Sequence, residues 1–419
     1  MHPAARFRSR DRPLALPACA GLFAVLLLSR DPPILFHAQF WGEDGWFWFP
    51  QARSDGLLSL LHPANGYLQT VSRLVALAVS PLPLRFAPTA YALAAFVIQL
   101  LPPLVLASHR LAGVLPDGRA RLMLALLLVA VPGETEVYVN LTNAQWHLAV
   151  LGFLLLLADA PPSSRAASFD TALLALSALS GPFDLVLLPV AMVEAARRRS
   201  RQTIRNLLLL AAGAALQLGC LLATASGARS SQPLGAGPVA LARILSGQVV
   251  VTALFGREGF AAVSGTAAWR TGVLPVAVLV AAASVTALAL MRGNRLFRQA
   301  CLFAALLLLA ELSHPQASGT GPQWPALAIP DNCSRYFLIP VLVWLGGCIT
   351  LLATPVRAAR ILAACCLSCT LAVAIPRDWH RPDEPDRGFP ALAARFDRSP
   401  PGIAFSLPIR PNTEMFVIR

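Results

Sequence analysis

Lysine is absent from this 419-residue chain, so all 34 of its basic residues are arginine. Charge of either sign is scarce: 13% of residues are charged, against roughly 25% in an ordinary soluble protein. So few charges do not cover a water-facing surface, which excludes the two or three soluble domains that length alone would suggest. The acids number only 21, giving 34 − 21 = +13. No zinc-finger, RNP or helix-turn-helix spacing accompanies that excess, and the arginines form short clusters between apolar runs, so no nucleic-acid partner is expected. Also missing are a G-x-x-x-x-G-K-[ST] loop, a G-x-S-x-G elbow and an H-E-x-x-H pair, so ATP-driven pumping and the common hydrolase chemistries find no support. Of the eight cysteines, all but Cys333 lie inside apolar runs and read as small buried hydrophobes. Cys365, Cys366 and Cys369 have no nearby His or acid as co-ligands, and no disulfide framework is visible.

What is present is hydrocarbon: 56% of residues are hydrophobic and the mean hydropathy is +0.62. A spanning helix needs about 20 apolar residues. About eleven candidates follow: Leu14 to Ser29, Phe86 to Ala107, Leu122 to Val131, Ala144 to Leu157, Thr171 to Ser180, Leu185 to Val193, Asn206 to Thr224, Val273 to Met291, Cys301 to Leu312, Phe337 to Leu352 and Ile361 to Ile375. The three shortest, at 122, 171 and 185, either extend into flanking residues or are half-helices beside a cavity. The expectation is an all-α polytopic membrane protein, with one transmembrane domain over 1–376 and a short tail over 377–419.

Arginine placement gives the orientation. The clusters at Arg6 to Arg12, Arg110 with Arg119 and Arg121, Arg197 to Arg205, Arg292 to Arg298, and Arg357 with Arg360 all fall on one side, the cytoplasmic one by the positive-inside bias. The N-terminus is then a retained, cytoplasmic signal-anchor and the C-terminus is periplasmic. Residues 30–85, 132–143, 181–184, 225–271 and 313–335 share the periplasmic face. Segments within 46–82 and 239–256 are expected to lie along that face as interfacial or re-entrant helices. A rival layout makes Tyr67 to Ser80 a true span, at the cost of moving an arginine loop outside.

The strongest local signal is the run Phe40 to Phe49, where Glu43 and Asp44 sit among Trp41, Trp46, Phe47 and Trp48. Each acid placed in hydrocarbon costs about 2.5 to 3.5 kcal/mol, so the pair belongs at the interface or in a wet cavity. One reading is an aromatic belt with an acidic turn. The other is catalytic: a carboxylate in partly dry surroundings acts as a general base, or the pair holds a divalent cation such as Mg²⁺ or Mn²⁺. Tyr67, after the Pro63 to Gly66 turn, and Arg73 six residues on are candidates for substrate binding, or else an interfacial tyrosine and a snorkelling arginine. The stretch Pro132 to His147 offers Asn140, Asn143, Gln145, Trp146 and His147. On a continuing helix Asn140, Asn143 and His147 share a face, and amide, imidazole and indole groups suit a sugar, whose hydroxyls need hydrogen bonds and whose C–H faces stack on Trp. Helix capping explains the same residues. Gly181-Pro182 breaks an apolar stretch, as a discontinuous helix or a hairpin tip. Arg335 with Tyr336 opens the tenth helix as an anion clamp or as an anchor.

These motifs, in this order, resemble a family of bacterial polytopic membrane proteins related to the GT-C glycosyltransferases, which use polyprenyl-phosphate sugars. The resemblance is carried by Glu43-Asp44-Gly45 after the first helix, Pro63-x-x-Gly66-Tyr67-Leu68 with Arg73, Leu115 to Arg121, Asn140-Leu-Thr-Asn143-x-Gln145-Trp146, Gly181-Pro182-Phe183 and Arg335-Tyr336-Phe337. It implies a GT-C-like fold in the bacterial inner membrane and transfer of a sugar to a glycan or lipid acceptor of the cell envelope. Asp44, with Glu43, then takes the base or metal role, and 134–143 lines a second part of the site. The chain departs from better-known members in having Asn143 where a second acid stands, and in its short tail. A transporter or flippase of lipid-linked saccharide is the alternative from another class.

Overall fold

The computed structural model describes residues 15–224, 230–381 and 387–419; the Arg6 to Arg12 cluster and the first residue of the Leu14 to Ser29 span lie outside them. Most of the described chain is helical, in many separate pieces. Among the described residues, seven helices are long and apolar enough to cross a bilayer: Leu84–Ala107, Arg201–Ala223, Pro238–Ser264, Val273–Arg292, Arg295–Ser313, Ser334–Leu352 and Arg357–Arg377. Leu16–Arg30, Thr70–Val79 and Ala144–Leu157 are shorter apolar helices.

Burial explains the arrangement. Ala144–Leu157 is apolar on every side from Leu148 onward, and every one of its residues is buried; such a helix sits at the centre of a bundle. Outer helices show the reverse: Leu208, Leu222, Val280 and Leu371 are exposed on candidate spans. Aliphatic side chains presented outward along several long helices are stable only against lipid. The chain is a multi-pass membrane protein.

The short apolar stretches at 171 and 185 are parts of Ser164–Ala178 and Phe183–Arg198, joined at Gly181, whose φ of 102° suits glycine alone. The stretch at 122 belongs to Gly118–Val129. Thr70–Val79 has 10 residues and is about 15 Å long, too short to span. Residues 239–256 belong to the long segment Pro238–Ser264, broken at Gly256; Val239 lies against Gly272 and Gly256 against Asp378. The polar residues that interrupt its apolar run, Ser246, Gln248 and Thr252, are buried and bond protein carbonyls.

Three arginine loops meet at one end of the bundle. Arg110 pairs with Asp170 at 2.5 Å. Arg198 donates to the carbonyls of Leu157 and Ala158, and Glu194 accepts from both Arg198 and Arg295. Asp117, Arg292 and Asn294 border one cavity there.

The all-α expectation needs one correction. The tail folds as the helix Phe389–Arg398 followed by an antiparallel hairpin, Ala404–Ile409 with Thr413–Ile418. Alternation along the strands buries Leu407, Ile409, Met415 and Val417 on one face. A lone hairpin is marginal in water, and this one docks on the first loop. Gly42 donates to the Arg410 carbonyl at 2.6 Å and Arg410 donates to that of Phe40 at 2.9 Å. The hairpin packs directly on Gly45, where a Cβ would stand 2.7 Å from Ile409 Cδ1 and 3.0 Å from Met415 Cβ. The tail is therefore part of the structure around Glu43.

Candidate functional site

At the end opposite the arginine loops, five chain segments and Pro411 of the tail close around a cavity of about 220 Å³. Each segment bends near the cavity. Gly42 turns the first, before Glu43, with φ of 40°, and Asn65 and Gly66 turn the second, before Tyr67, with φ of 54° and 93°. Gly133 and Val139 bend the third segment, Gly181 the fourth, and Asp331 with Cys333 the fifth, all at positive φ. Gly181 passes so near Gln145 that a Cβ there would stand 2.2 Å from Gln145 Oε1.

The walls mix acids, amides and aromatics. Glu43, Tyr67, Asn143, Gln145, Trp146, Arg335 and Tyr336 all line the cavity. Burial pushes the Glu43 carboxyl above its ordinary range, an effect the nearby Arg335 charge partly offsets. Burial also raises the Tyr67 hydroxyl, helped by the negative charges of Glu311 and Glu43. The Arg335 guanidinium donates to Glu136 Oε1 at 2.8 Å and lies 4.7 Å from the Tyr336 ring centroid. The Arg335 backbone N–H donates to the other Glu136 oxygen at 3.2 Å. Asn143 donates to the Glu136 carbonyl at 2.9 Å. Trp146 packs edge-on to Phe183, centroids 4.8 Å apart, and 5.8 Å from Tyr336. Its indole N–H is buried without a partner.

Four nominated residues stand away from this wall. Asp44 points to the far side of its turn: its Oδ1 accepts from the Thr142 hydroxyl at 2.8 Å and its Oδ2 from the Trp41 N–H at 3.3 Å. Burial pushes its carboxyl up to about 7. Asp44 reaches the chamber through two of its lining residues, Trp41 and Thr142, and Thr142 also accepts from Trp48 Nε1 at 3.0 Å. Asn140 faces a separate void of about 20 Å³ beside Asp44 and Tyr91 and donates to the Glu136 carbonyl. His147 is buried with a ring nitrogen 3.1 Å from the Val137 carbonyl. The helix begins only at Ala144, so Asn140, Asn143 and His147 do not form the single face that uniform helical spacing predicts. Arg73 is buried, donating to Gln51 Oε1 at 2.8 Å and lying 4.7 Å from the Trp48 centroid.

Other lining residues were not singled out by sequence. Glu136 and Trp46 lay inside runs already noted, Asn65 in a turn, and Gln316 in a loop. Glu311 had a readable signal, a lone acid closing an apolar helix.

A divalent cation needs several oxygens converging on one point. Both Asp44 oxygens are taken by protein donors, and among the described residues no three His, Cys, Asp or Glu are grouped to hold a metal ion. The Glu43 and Asp44 pair therefore does not fit as a cation clamp. Chemically, the chamber offers a carboxylate of raised basicity, a positioned guanidinium, amide and indole donors, and aromatic faces. Compared with family models, curated proteins and solved structures, the chain matches none.

Proposed function

We propose that the chain is an integral membrane glycosyltransferase of the GT-C type, which moves a sugar from a polyprenyl-phosphate carrier to a glycan or lipid acceptor of the cell envelope. On this reading it lies in the bacterial inner membrane with the arginine loops and N-terminus cytoplasmic, and the chamber and C-terminus periplasmic. The observation that carries the reading is the convergence of Glu43, Trp146 and Arg335, from three distant segments, on one 220 Å³ cavity.

Glu43 takes the proton from the acceptor hydroxyl as its oxygen attacks the anomeric carbon. Its raised basicity suits that role. The bond from that carbon to the phosphate oxygen breaks, and Arg335 stabilises the departing phosphate. The unpartnered Trp146 N–H and the Asn143 amide meet sugar hydroxyls, and the aromatic walls stack on its C–H faces. Asp44 is a positioning residue: by binding Trp41 N–H and Thr142 it holds the turn that presents Glu43.

A transporter or flippase has one observation in its favour, two interrupted helical regions, at Gly181-Pro182 and at Gly256. Proteoliposomes holding the purified protein and a labelled polyprenyl-phosphate sugar separate the readings. Transfer predicts release of polyprenyl phosphate and a longer acceptor. Movement of intact lipid-linked saccharide between leaflets, with no release, would sink the transferase reading.

A further inference from the structure

Glu134 is a buried acid that borders no part of the chamber. It is 5% exposed, and neither of its carboxylate oxygens has a hydrogen-bond partner. A carboxylate held in that state is destabilising unless something meets it. Arg30 is the charge that acts on it, and burial outweighs that pull. The Arg30 guanidinium donates instead to the carbonyls of Val129 and Val131, at 2.8 and 3.2 Å. The neighbouring acid, Asp378, is held separately by the backbone N–H groups of Gly133 and Arg257.

Glu134 borders a void of about 10 Å³, whose other polar walls are Gln248, Thr252 and Ser334, all buried. That is room for one water or one small ion. Each neutral wall group has its proton committed elsewhere. The Gln248 amide nitrogen donates to the carbonyls of Leu327 and Ile329, both at 2.8 Å, which leaves its Oε1 as an acceptor. The Thr252 hydroxyl donates to the Gly247 carbonyl at 2.9 Å. Thr135 gives its hydroxyl proton to Asp331 Oδ1 at 2.6 Å, so in the 3.4 Å contact between Thr135 and Ser334 the serine is the donor. The side chains around the void thus present oxygen lone pairs and no donor. A water has lone pairs of its own that these groups leave unmet, whereas a hard cation takes oxygen acceptors alone. One carboxylate with three neutral oxygens matches a single positive charge. The backbone suits such a site as well: Gln248 stands on the π-helical turn Leu245–Val251, in a long segment broken at Gly256.

We infer that Glu134, Gln248, Thr252 and Ser334 bind one sodium ion, which ties the bend at Glu134 to two of the long helices, Pro238–Ser264 and Ser334–Leu352. The site is separate from the chamber and assumes nothing about sugar transfer. Burial holds the Glu134 proton up to about pH 8, so binding is an exchange: sodium enters as the carboxyl proton leaves to solvent.

The test is thermal unfolding of the full-length purified protein in nanodiscs, in sodium chloride against choline chloride at equal ionic strength. At pH 8 a sodium concentration about tenfold above its Kd is expected to raise the midpoint by about 2 °C or more. The difference should close towards pH 5, because the competing proton weakens sodium binding about tenfold for each pH unit below the Glu134 titration. Glu134→Gln keeps the shape and removes the charge, so it is expected to fold and to abolish the difference. Thr252→Val removes one ligand oxygen at constant shape, and the sodium concentration giving half the effect should rise about tenfold, roughly the worth of one such contact. If Glu134→Gln does not fold, Thr252→Val carries the test. Equal midpoints in the two salts at pH 8 would mean that water or the proton alone meets Glu134, and would overturn the inference. A sodium effect that survives Glu134→Gln, or that Thr252→Val leaves unchanged, would overturn it too.

Discussion

Two cavities sit at opposite ends of the bundle. The one beside the arginine loops holds about 370 Å³ and is walled mainly by aliphatic and aromatic side chains such as Leu124, Phe153, Phe303 and Leu342. The one beside Glu43 holds about 220 Å³ and is walled by acids, amides, an arginine and indoles. Size and chemistry thus point in opposite directions. In a membrane protein an apolar hollow open at the bundle surface is filled by lipid without specificity, whereas buried polar groups must be matched by something. The smaller cavity is the better guide to function.

That contrast breaks first at Glu43. Glu43→Gln is expected to lower sugar transfer by about 10² to 10⁴-fold with the unfolding midpoint unchanged; transfer at the wild-type rate would remove the base from the chamber. The matching change at the other end is Phe303→Ala. Phe303 is buried and stacks on Phe153 with centroids 5.5 Å apart, so truncation should cost about 3 to 5 kcal/mol in thermal or denaturant unfolding, and leave donor affinity of the folded protein alone. A weaker affinity would show that the ends are coupled. Gly181→Ala brings both effects to the chamber, since it forces a Cβ onto Gln145 at φ 102°. A loss of about 1 to 3 kcal/mol is expected, together with weaker ligand binding.

The smallest effect at any one step is the pH dependence. Asp44 titrates at about 7 when folded, against 3.8 ordinarily, and Glu134, held up by burial, at about 8 against 4.5. Both groups bind their proton more tightly in the folded chain. Their contribution is complete below about pH 4 and is lost as pH rises towards 8, by up to about 1.4 kcal/mol per pH unit for each group. Unfolding midpoints should therefore fall from pH 5 to 8, and Asp44→Asn with Glu134→Gln should flatten the profile. A rise over that range would contradict the burial of both acids.

Much of the architecture was readable because bilayers impose simple rules. Apolar length located the long spans, and the arginine clusters at 110–121, 197–205 and 292–298 meet at one end as the charge rule requires. The hairpin of the tail was not readable because it packs on Gly45 and pairs Arg410 with Trp41, contacts of long sequence separation. At the site, composition found runs that line the chamber but not which of two neighbouring acids faces it. Glu43 and Asp44 are indistinguishable as neighbouring acids, and only the wide turn Asp44–Trp48 decides that Glu43 faces the chamber and Asp44 faces Thr142. His147 and Arg73 stand off the chamber for the same reason, since side-chain direction depends on where each helix begins.

The central claim is that the Glu43 chamber, and not the larger apolar cavity, takes the ligand. Single cysteines placed by Glu43→Cys, Arg335→Cys and Phe303→Cys in an otherwise cysteine-free chain test it most directly, through labelling by a thiol reagent with and without polyprenyl-phosphate sugar. The account predicts that the ligand protects positions 43 and 335, both labelled from one side of the membrane, and leaves 303 unchanged. Protection of 303 alone, or labelling of 43 and 335 from opposite sides, would contradict it.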